Sequence, residues 1–225
     1  VALDANTTGT ANVAVGTNAL GTSTTASENT AVGNAALFAT TTGADNVGIG
    51  ASALDSTTTG GENTAIGHQA GHNLTTGVNN TLLGHEAGTD AVANVVASNG
   101  NIVIGNNYSA SAKIKIDWTV TSDLRDKTEI ESVPHGLNFV NQITPIKYRF
   151  KTSRENDTPN GVTRYGFKAQ EILALEGENP VLVDNGDTDN LKLTGAYLLP
   201  VLVNAIKELK AENDSLKTRI ENLEG

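Results

Sequence analysis

The sequence predicts a mainly β chain with some α structure: a trimeric repeat β-roll or β-solenoid shaft, then a small α+β domain that ends in a parallel trimeric coiled coil. Three observations lead to this prediction. A five-residue phrase recurs six times in the first half, the composition changes abruptly at Lys113, and a heptad of apolar residues closes the chain. A fixed repeat period of this length is typical of solenoids, in which each repeat is one coil stacked on its neighbours.

The repeated phrase is Asn, then Val, Ile or Thr, then any residue, then Val, Ile or Leu, then Gly. Its copies begin at Asn12, Asn29, Asn46, Asn63, Asn80 and Asn101, in steps of 17, 17, 17, 17 and 21 residues. The second and fourth residues have the two-residue periodicity of a short strand. We expect each Asn to lie at a corner, where it tolerates left-handed backbone, and to stack from coil to coil in a ladder.

The residue between the two strand positions is also apolar and mostly small: Ala14, Ala31, Gly48, Ala65, Leu82 and Val103. Both faces of each strand are therefore apolar. A coil of this length has a perimeter of about 56 Å, at about 3.3 Å per extended residue, and encloses little core. The sequence thus predicts lateral association of chains, with the small residues where neighbouring chains approach closely.

Two features of the repeats resemble ligand sites. His68 and His85 occupy equivalent positions, and His72 follows His68 by four residues. A ring of His side chains around a symmetry axis can bind a metal, but solvated turn residues explain this pattern and no metal site is predicted. The glycines of residues 48–53 mimic a dinucleotide-binding fingerprint, which their place in the repeat accounts for. No cofactor is expected.

Charge is distributed unevenly along the chain. All 15 Lys and Arg residues lie at or after Lys113, so the seven acidic residues before it give that half a charge of −7, against −3 for the rest. This asymmetry predicts two domains, and we expect a shaft over 1–112 and a second domain over 122–225. Residues 113–121 connect them, and Ile114, Ile116 and Trp118 predict a strand there.

The composition also limits the partners. The acidic balance argues against nucleic acid, and no apolar run is long enough for membrane insertion. Without Cys, disulfides and thiolate sites are excluded. The chain contains no Met, so we expect it to be part of a longer protein with a missing N-terminal part.

The second domain is predicted to consist of short helices and strands. Residues 137–143 form an amphipathic segment that ends at Pro145, and residues 145–150 alternate as a strand. Asn160 and Gly161 predict the turn of a hairpin. Residues 165–173 indicate a strand end entering a helix, which Asn179 and Pro180 break. A short strand over 181–183 and an exposed loop over 184–190 follow.

A predicted coiled coil over 199–224 ends the chain. Its a and d positions, spaced by four and three residues in turn, are Leu202, Ile206, Leu209, Asn213, Leu216, Ile220 and Leu223. These are the expected trimerisation residues, and Asn213 is a lone polar a residue that can fix the register. Ile at a with Leu at d favours two strands in peptides, whereas the shaft suggests three, so the heptad leaves the number open.

Both halves resemble known families. The repeats, over residues 2–106, resemble phage tail-fibre shafts and the heads of trimeric autotransporter adhesins, which implies a trimer. Residues 122–221 resemble the intramolecular chaperone auto-processing domain of phage tail fibres, tailspikes and endosialidases. The second resemblance rests on S-D-x-R-x-K-x-x-I at 122–130, Y-G-F-x-A-Q-E at 165–171 and L-P-V-L-V-N-A-I-K-E-L at 199–209.

In that family the domain trimerises, guides folding of the shaft and cuts itself off just before the motif serine. The resemblance implies that Ser122 is the nucleophile, Lys127 the base, and the bond from Thr121 to Ser122 the cleavage site. A Ser–Lys pair needs no His or Asp, but burial or a nearby cation must lower the pKa of the lysine.

The spacing sets a condition on this pair. Five residues separate Ser122 from Lys127, which places them on opposite faces of a regular strand, so a turn or a second chain must bring them together. Arg125 could supply the nearby cation, and Asp126 would oppose it. Asp123 and Arg125 are possible supporting residues for which a structural role is favoured over a catalytic one.

Two functions remain open at this stage. The first is a phage fibre end with a self-cleaving chaperone, which is a serine peptidase that acts once on its own chain. It would be a virion protein assembled in the host cytoplasm as a homotrimer, with other tail proteins and a host cell-surface receptor as partners. The alternative is a non-cleaving trimeric adhesin or receptor-binding fibre tip, in which the C-terminal domain only trimerises.

Overall fold

A computed structural model describes residues 1–90, 93–106, 108–109, 113, 115 and 120–224. The chain divides into two compact units, Val1–Ala112 and Lys113–Gly225. The strand predicted from Ile114, Ile116 and Trp118 lies outside the described residues. Among the described residues, no helix has the length and apolar character that a membrane span requires.

The first unit is a β-solenoid, as the repeats predict. Its six strands form one parallel sheet in chain order, each paired with the strand one repeat later, so that Val13 lies opposite Thr30 and Thr81 opposite Ile102. The strands are β1 (Val13–Val15), β2 (Thr30–Val32), β3 (Val47–Ile49), β4 (Thr64–Ile66), β5 (Thr81–Leu83) and β6 (Ile102–Ile104). The predicted mainly β fold with α structure is confirmed.

The small central residue of each strand points into the coil. Ala31, Ala65 and Leu82 are fully buried within a single chain, and a Cβ on Gly48 would lie 3.1 Å from Cγ of Leu37. The expectation that these small residues meet neighbouring chains is therefore wrong. Ala31, Gly48 and Ala65 are small because the opposite walls of so narrow a coil leave little room between them.

The larger flanking residues of the strands face outward and form an apolar column along the sheet. Its exposed members are Val13, Val15, Ile49, Ile66, Ile102 and Ile104. Parallel sheets are normally covered on both faces. This outward column, rather than the row of small residues, is the uncovered apolar surface of the shaft.

Tight corners close each coil. The residue before the repeated Asn is left-handed, with φ between 58° and 62° at Glu28, Asp45, Glu62 and Asn79. The expectation that the Asn itself has left-handed backbone is therefore wrong. The Gly that ends each phrase also has positive φ. At Gly33, φ is +138°, and an added Cβ would lie 2.5 Å from the carbonyl oxygen of Gly50.

The predicted Asn ladder is confirmed, and it is buried. Oδ1 of Asn29 accepts hydrogen bonds from the backbone N–H of Asn46, at 3.0 Å, and from its side-chain Nδ2, at 3.1 Å. Nδ2 of Asn46 also donates to the carbonyl oxygen of Gly60 at 2.9 Å. Oδ1 of Asn46 then accepts the same two bonds from Asn63. Each Asn thus joins its own coil to both neighbours.

We expect Asn46→Ala to destabilise the shaft by about 3 kcal/mol, because it leaves the buried N–H of Asn63 and carbonyl of Gly60 without partners. Calorimetric unfolding of the full chain measures this change. Asn34→Ala is the matched control, since Asn34 is exposed and its side chain makes one 3.4 Å bond to Thr17; we expect it to change stability by less than about 0.5 kcal/mol. Equal effects of the two variants would contradict a stabilising role for the buried ladder.

The second unit is a small α+β fold. Its elements are a 3₁₀ turn (Leu124–Asp126), α1 (Leu137–Gln142), β7 (Ile146–Lys151), β8 (Pro159–Gly166), α2 (Ala169–Glu176), β9 (Val183–Asp184), β10 (Lys192–Leu193), a second 3₁₀ turn (Gly195–Tyr197) and α3 (Leu198–Glu224). β7 pairs with β8 and β9 with β10, both antiparallel. The core consists of Phe139, Ile172, Leu182, Val183, Leu198 and Val201.

The predicted hairpin is present, but its turn is not at Asn160 and Gly161. β8 already begins at Pro159, and Asn160 pairs with Phe150. Gly161, with φ of +70°, lies at an irregularity in the strand register, where its carbonyl accepts bonds of 3.0 and 2.8 Å from the Arg149 guanidinium. The Asn-Gly pair therefore serves a β-bulge, which needs the same left-handed backbone as a tight turn.

The long helix α3 has two different faces. Leu198, Val201 and Ala205 are buried against the rest of the unit. Next to them, Nδ2 of Asn204 donates to the carbonyl of His135 at 3.0 Å, and the Glu208 carboxylate accepts from the N–H of Leu137, the first residue of α1, at 2.6 Å. These two polar side chains hold the start of α1 on α3.

We expect Gly136→Ala to destabilise the second unit by about 1 kcal/mol, because an Ala Cβ would lie 2.1 Å from Oε1 of Glu208 and displace the carboxylate from Leu137. The described helices all lie in this unit, so urea unfolding followed by circular dichroism at helical wavelengths reports on it.

Two further variants test the cause. Gly195→Ala is the control, since nothing lies within 4 Å of a Cβ added there. In a chain that carries Glu208→Ala, the Gly136→Ala change should have no further effect. An undiminished effect in that background would show that displacement of Glu208 is not the reason.

Candidate active site

The segment from Ser122 to Lys127 reverses through a short 3₁₀ turn. The N–H of Asp126 donates to the carbonyl of Asp123, and that of Lys127 to the carbonyl of Leu124, each at 3.2 Å. Asp123 and Lys127 on either side are extended, with φ, ψ of −66°, 136° and −118°, 142°. Two extended stretches thus meet at a single tight turn.

This turn brings the two residues that the resemblance singled out into contact. Nζ of Lys127 lies 2.8 Å from Oγ of Ser122 and 3.1 Å from the Ser122 carbonyl oxygen. The sequence left a turn and a second chain as alternatives for joining them, and within one chain the turn is sufficient. A hydroxyl and an amine at this distance can exchange a proton directly.

Asp123 and Arg125 hold each other across the turn. Oδ1 of Asp123 accepts from the backbone N–H of Arg125 at 2.9 Å and from its Nε at 3.1 Å. Oδ2 accepts from Nε at 3.1 Å and from Nη2 at 2.5 Å. The side-chain hydrogen bond from Arg125 lowers the pKa of Asp123 below its ordinary value, and that of Arg125 is raised by the same contact.

The site is open in the single chain. Thr121, Ser122 and Lys127 are all exposed, and no residue of the turn is buried. Arg125, the cation that could have favoured a neutral lysine, is engaged with Asp123. The turn therefore supplies the distance for proton transfer, but a single chain does not supply the desolvation that a lysine base requires.

The predicted trimerisation residues lie along the outer side of α3. The six apolar members, from Leu202 to Leu223, are between 40% and 85% exposed, and Asn213 between them is exposed too. From Ile206 onward, every described residue of the helix is exposed. The structure thus places the whole heptad on one helix, with its apolar residues exposed.

The histidines of the shaft do not converge on one point. The rings of His68 and His85 stack with centroids 5.1 Å apart, while Nδ1 of His72 lies 2.6 Å from Oδ1 of Asp55. In the parts of the chain that the structure describes, no group of three or more His, Cys, Asp or Glu residues could hold a metal ion.

Sequence reasoning missed the roles of Asn204 and Glu208. Both lie in the motif at 199–209, where they contributed to the resemblance without an assigned contact. Two polar residues spaced i, i+4 beside the buried face of an amphipathic helix were the available signal. Their partners, Leu137 and His135, are about 70 residues away in sequence, which no local pattern reveals.

A comparison with known protein families agrees with the resemblance found in the sequence of the second unit. Residues 122–182 match the model of the Peptidase_S74 family, described as chaperone of endosialidase. No curated protein and no solved structure matches the chain. The matched segment begins at Ser122, the first residue of the candidate site, and ends within the core at Leu182. This match and the β-solenoid of the first unit together fit the C-terminal chaperone region of a phage tail fibre.

Proposed function

We propose that the C-terminal domain, residues 122–225, trimerises, guides folding of the β-solenoid shaft, and then releases itself by cutting the bond between Thr121 and Ser122. The observation that carries the cleavage is the 2.8 Å contact between Nζ of Lys127 and Oγ of Ser122. It lies at the first residue of the segment that resembles the chaperone of endosialidase. The enzyme activity is a single turnover on its own chain.

The reaction follows from the position of the nucleophile. Lys127, as the neutral amine, takes the proton from Oγ of Ser122, and Oγ attacks the carbonyl carbon of Thr121. The bond from that carbon to the backbone nitrogen of Ser122 then breaks, and the nitrogen receives the proton. Because Ser122 lies on the leaving-group side of its own bond, this first step is an acyl transfer from nitrogen to oxygen that produces an ester.

Water completes the cleavage. Hydrolysis of the ester leaves a carboxylate on Thr121 and restores the hydroxyl of Ser122. Ser122 now carries a free α-amino group. The protein must supply a base, an attack geometry and a dry environment for the amine. Lys127 is the base, which the turn holds beside Ser122, and we assign the dry environment to neighbouring copies of the chain.

Two uncovered apolar surfaces support the trimer. The apolar heptad residues of α3 are exposed. Every described residue of the helix beyond Leu209 is exposed as well. An isolated helical extension of this length is marginal in water. The outward apolar column of the shaft likewise needs a cover. In the proposed trimer, neighbouring copies cover each of these surfaces.

The alternative is a non-cleaving trimeric adhesin or receptor-binding fibre tip. The exposure of Ser122 and Lys127 in a single chain favours it, since an exposed lysine is a poor base at neutral pH. The proposed function places the protein in a virion tail fibre, with other tail proteins and a host cell-surface receptor as partners. Cleavage is the property that distinguishes it from the alternative.

We expect the wild-type chain to yield a fragment that begins at Ser122, and Ser122→Ala or Lys127→Ala to leave the full-length chain, which still trimerises. Intact mass spectrometry over days near neutral pH measures this. Wild-type protein that forms folded trimers but remains intact would contradict the cleavage and leave the non-cleaving alternative. Once the second unit has been released, unfolding of the shaft should become irreversible.

Mixed trimers test which chain supplies the base. Because the contact forms within one chain, we expect trimers assembled from Ser122→Ala and Lys127→Ala chains to remain uncut. Cleavage in such trimers would mean that the lysine acts on the serine of a neighbouring chain.

We expect Leu216→Asp to dissociate the trimer at micromolar concentration, because it places three carboxylates in the heptad seam. Ser215→Asp is the matched control: it adds the same charge one residue earlier, outside the a and d positions, and should leave the trimer intact. Sedimentation equilibrium measures both. A Leu216→Asp chain that stays trimeric would contradict assembly through this seam.

A further inference from the structure

We propose that Asp123 and Arg125 are positioning residues for the self-cleavage: together they form a clamp that holds the turn and so keeps Lys127 beside Ser122. The inference rests on the proposed cleavage and concerns how that site is maintained. Neither residue is assigned a chemical step. The name clamp refers below to these two side chains.

Apart from the clamp, few contacts among the described residues hold the turn. It contains no buried residue, and from Val120 to Pro134 every residue except the half-buried Asp123 is exposed. A 3₁₀ turn with only two backbone hydrogen bonds, both open to water, has little stability of its own. Local side-chain contacts therefore decide how often the segment adopts the conformation that joins Ser122 to Lys127.

The clamp spans the part of the chain that must stay bent. Asp123 follows the nucleophile directly, and Arg125 precedes the base by two residues. Both carboxylate oxygens of Asp123 accept from the Arg125 side chain, and Oδ1 also caps the backbone N–H of Arg125, the second residue of the turn. Fixing these two residues together leaves few backbone torsions free between Ser122 and Lys127.

The same contacts argue against a general-acid role for Asp123. Hydrogen bonding by Arg125 lowers its pKa below the ordinary aspartate value, so near neutral pH it remains an ionised acceptor and has no proton to give. A carboxyl whose pKa is lowered on folding stabilises the turn above its unfolded pKa, and this contribution is lost as the pH falls through the lowered value. The clamp is thus fully formed at neutral pH.

The two interactions in the clamp differ in expected strength. Exposed ion pairs contribute little, whereas loss of an N-terminal cap has a larger effect. We therefore expect Asp123→Ala to slow cleavage about tenfold, since cap and ion pair both disappear. Asp123→Asn retains an oxygen that can cap the Arg125 N–H and should slow it only about twofold to threefold. Arg125→Gln, which keeps the cap, should resemble Asp123→Asn.

The test measures first-order cleavage of the full chain across pH for these variants. Loss of positioning lowers the plateau rate and leaves the midpoint of the pH–rate profile in place. A shifted midpoint in Asp123→Asn would mean that the Asp123 charge tunes the base, which would overturn the inference. The control is Asp157→Asn, which removes the exposed ion pair of the hairpin with Lys151 and should not change the rate. A cleavage rate in Asp123→Ala equal to that of the wild type would also overturn the inference.

A second measurement separates this inference from the cleavage itself. Amide hydrogen exchange of Asp126 and Lys127, measured in full-length Ser122→Ala chain, reports on the turn without any reaction. We expect adding Asp123→Ala to accelerate exchange severalfold, and adding Asp123→Asn to have a smaller effect. Unchanged exchange would refute the clamp even if the wild type cleaves. If adding Asp123→Ala accelerates exchange but the wild-type chain is not cleaved, the clamp is supported and the cleavage is refuted.

Discussion

The shaft depends on one interaction, the buried hydrogen-bonded ladder of Asn side chains. Each Asn side chain satisfies the backbone N–H just before the next strand and a carbonyl of the corner that leads into it, groups that a narrow coil would otherwise bury without partners. The ladder ties each coil to the next with nearly the same geometry every time. A shaft built in this way is stable along its length, but its repeated contacts do not mark any one coil as different from the others.

That uniformity gives a physical reason for a separate folding domain. When near-identical coils from several chains associate, a shift by one repeat loses few contacts, so competing registers have similar energy. A unique element at one end removes this degeneracy. In the proposed function, α3 has this role: its buried face and the Asn204 and Glu208 contacts belong to its own unit, and its uncovered heptad is left to align the partner copies.

Cleavage at the candidate site requires a short distance between amine and hydroxyl and the removal of water from the amine. Local structure provides the first, and the proposed assembly provides the second. The turn from Ser122 to Lys127 depends on contacts between residues at most five apart, so one folded chain is sufficient to place amine and hydroxyl together. Dehydration of the amine cannot come from an exposed segment. In the proposed mechanism, cleavage therefore waits for assembly, and the shaft is not released before the domain has aligned it.

Sequence by itself determined the features that repeat over short distances. The repeat period placed all six strands and the Asn ladder, and the heptad placed the exposed apolar residues of α3, because both patterns reflect neighbours along the chain. The motif at 122–130 pointed to Ser122 and Lys127 through its resemblance to a known family. Tertiary structure decided the rest. It put the small residues such as Ala31 inside the coil, turned Asn160 and Gly161 into a bulge, and brought Glu208 to Leu137. These outcomes depend on which surfaces meet across long sequence separations and on how much room lies between them, and no local pattern records either.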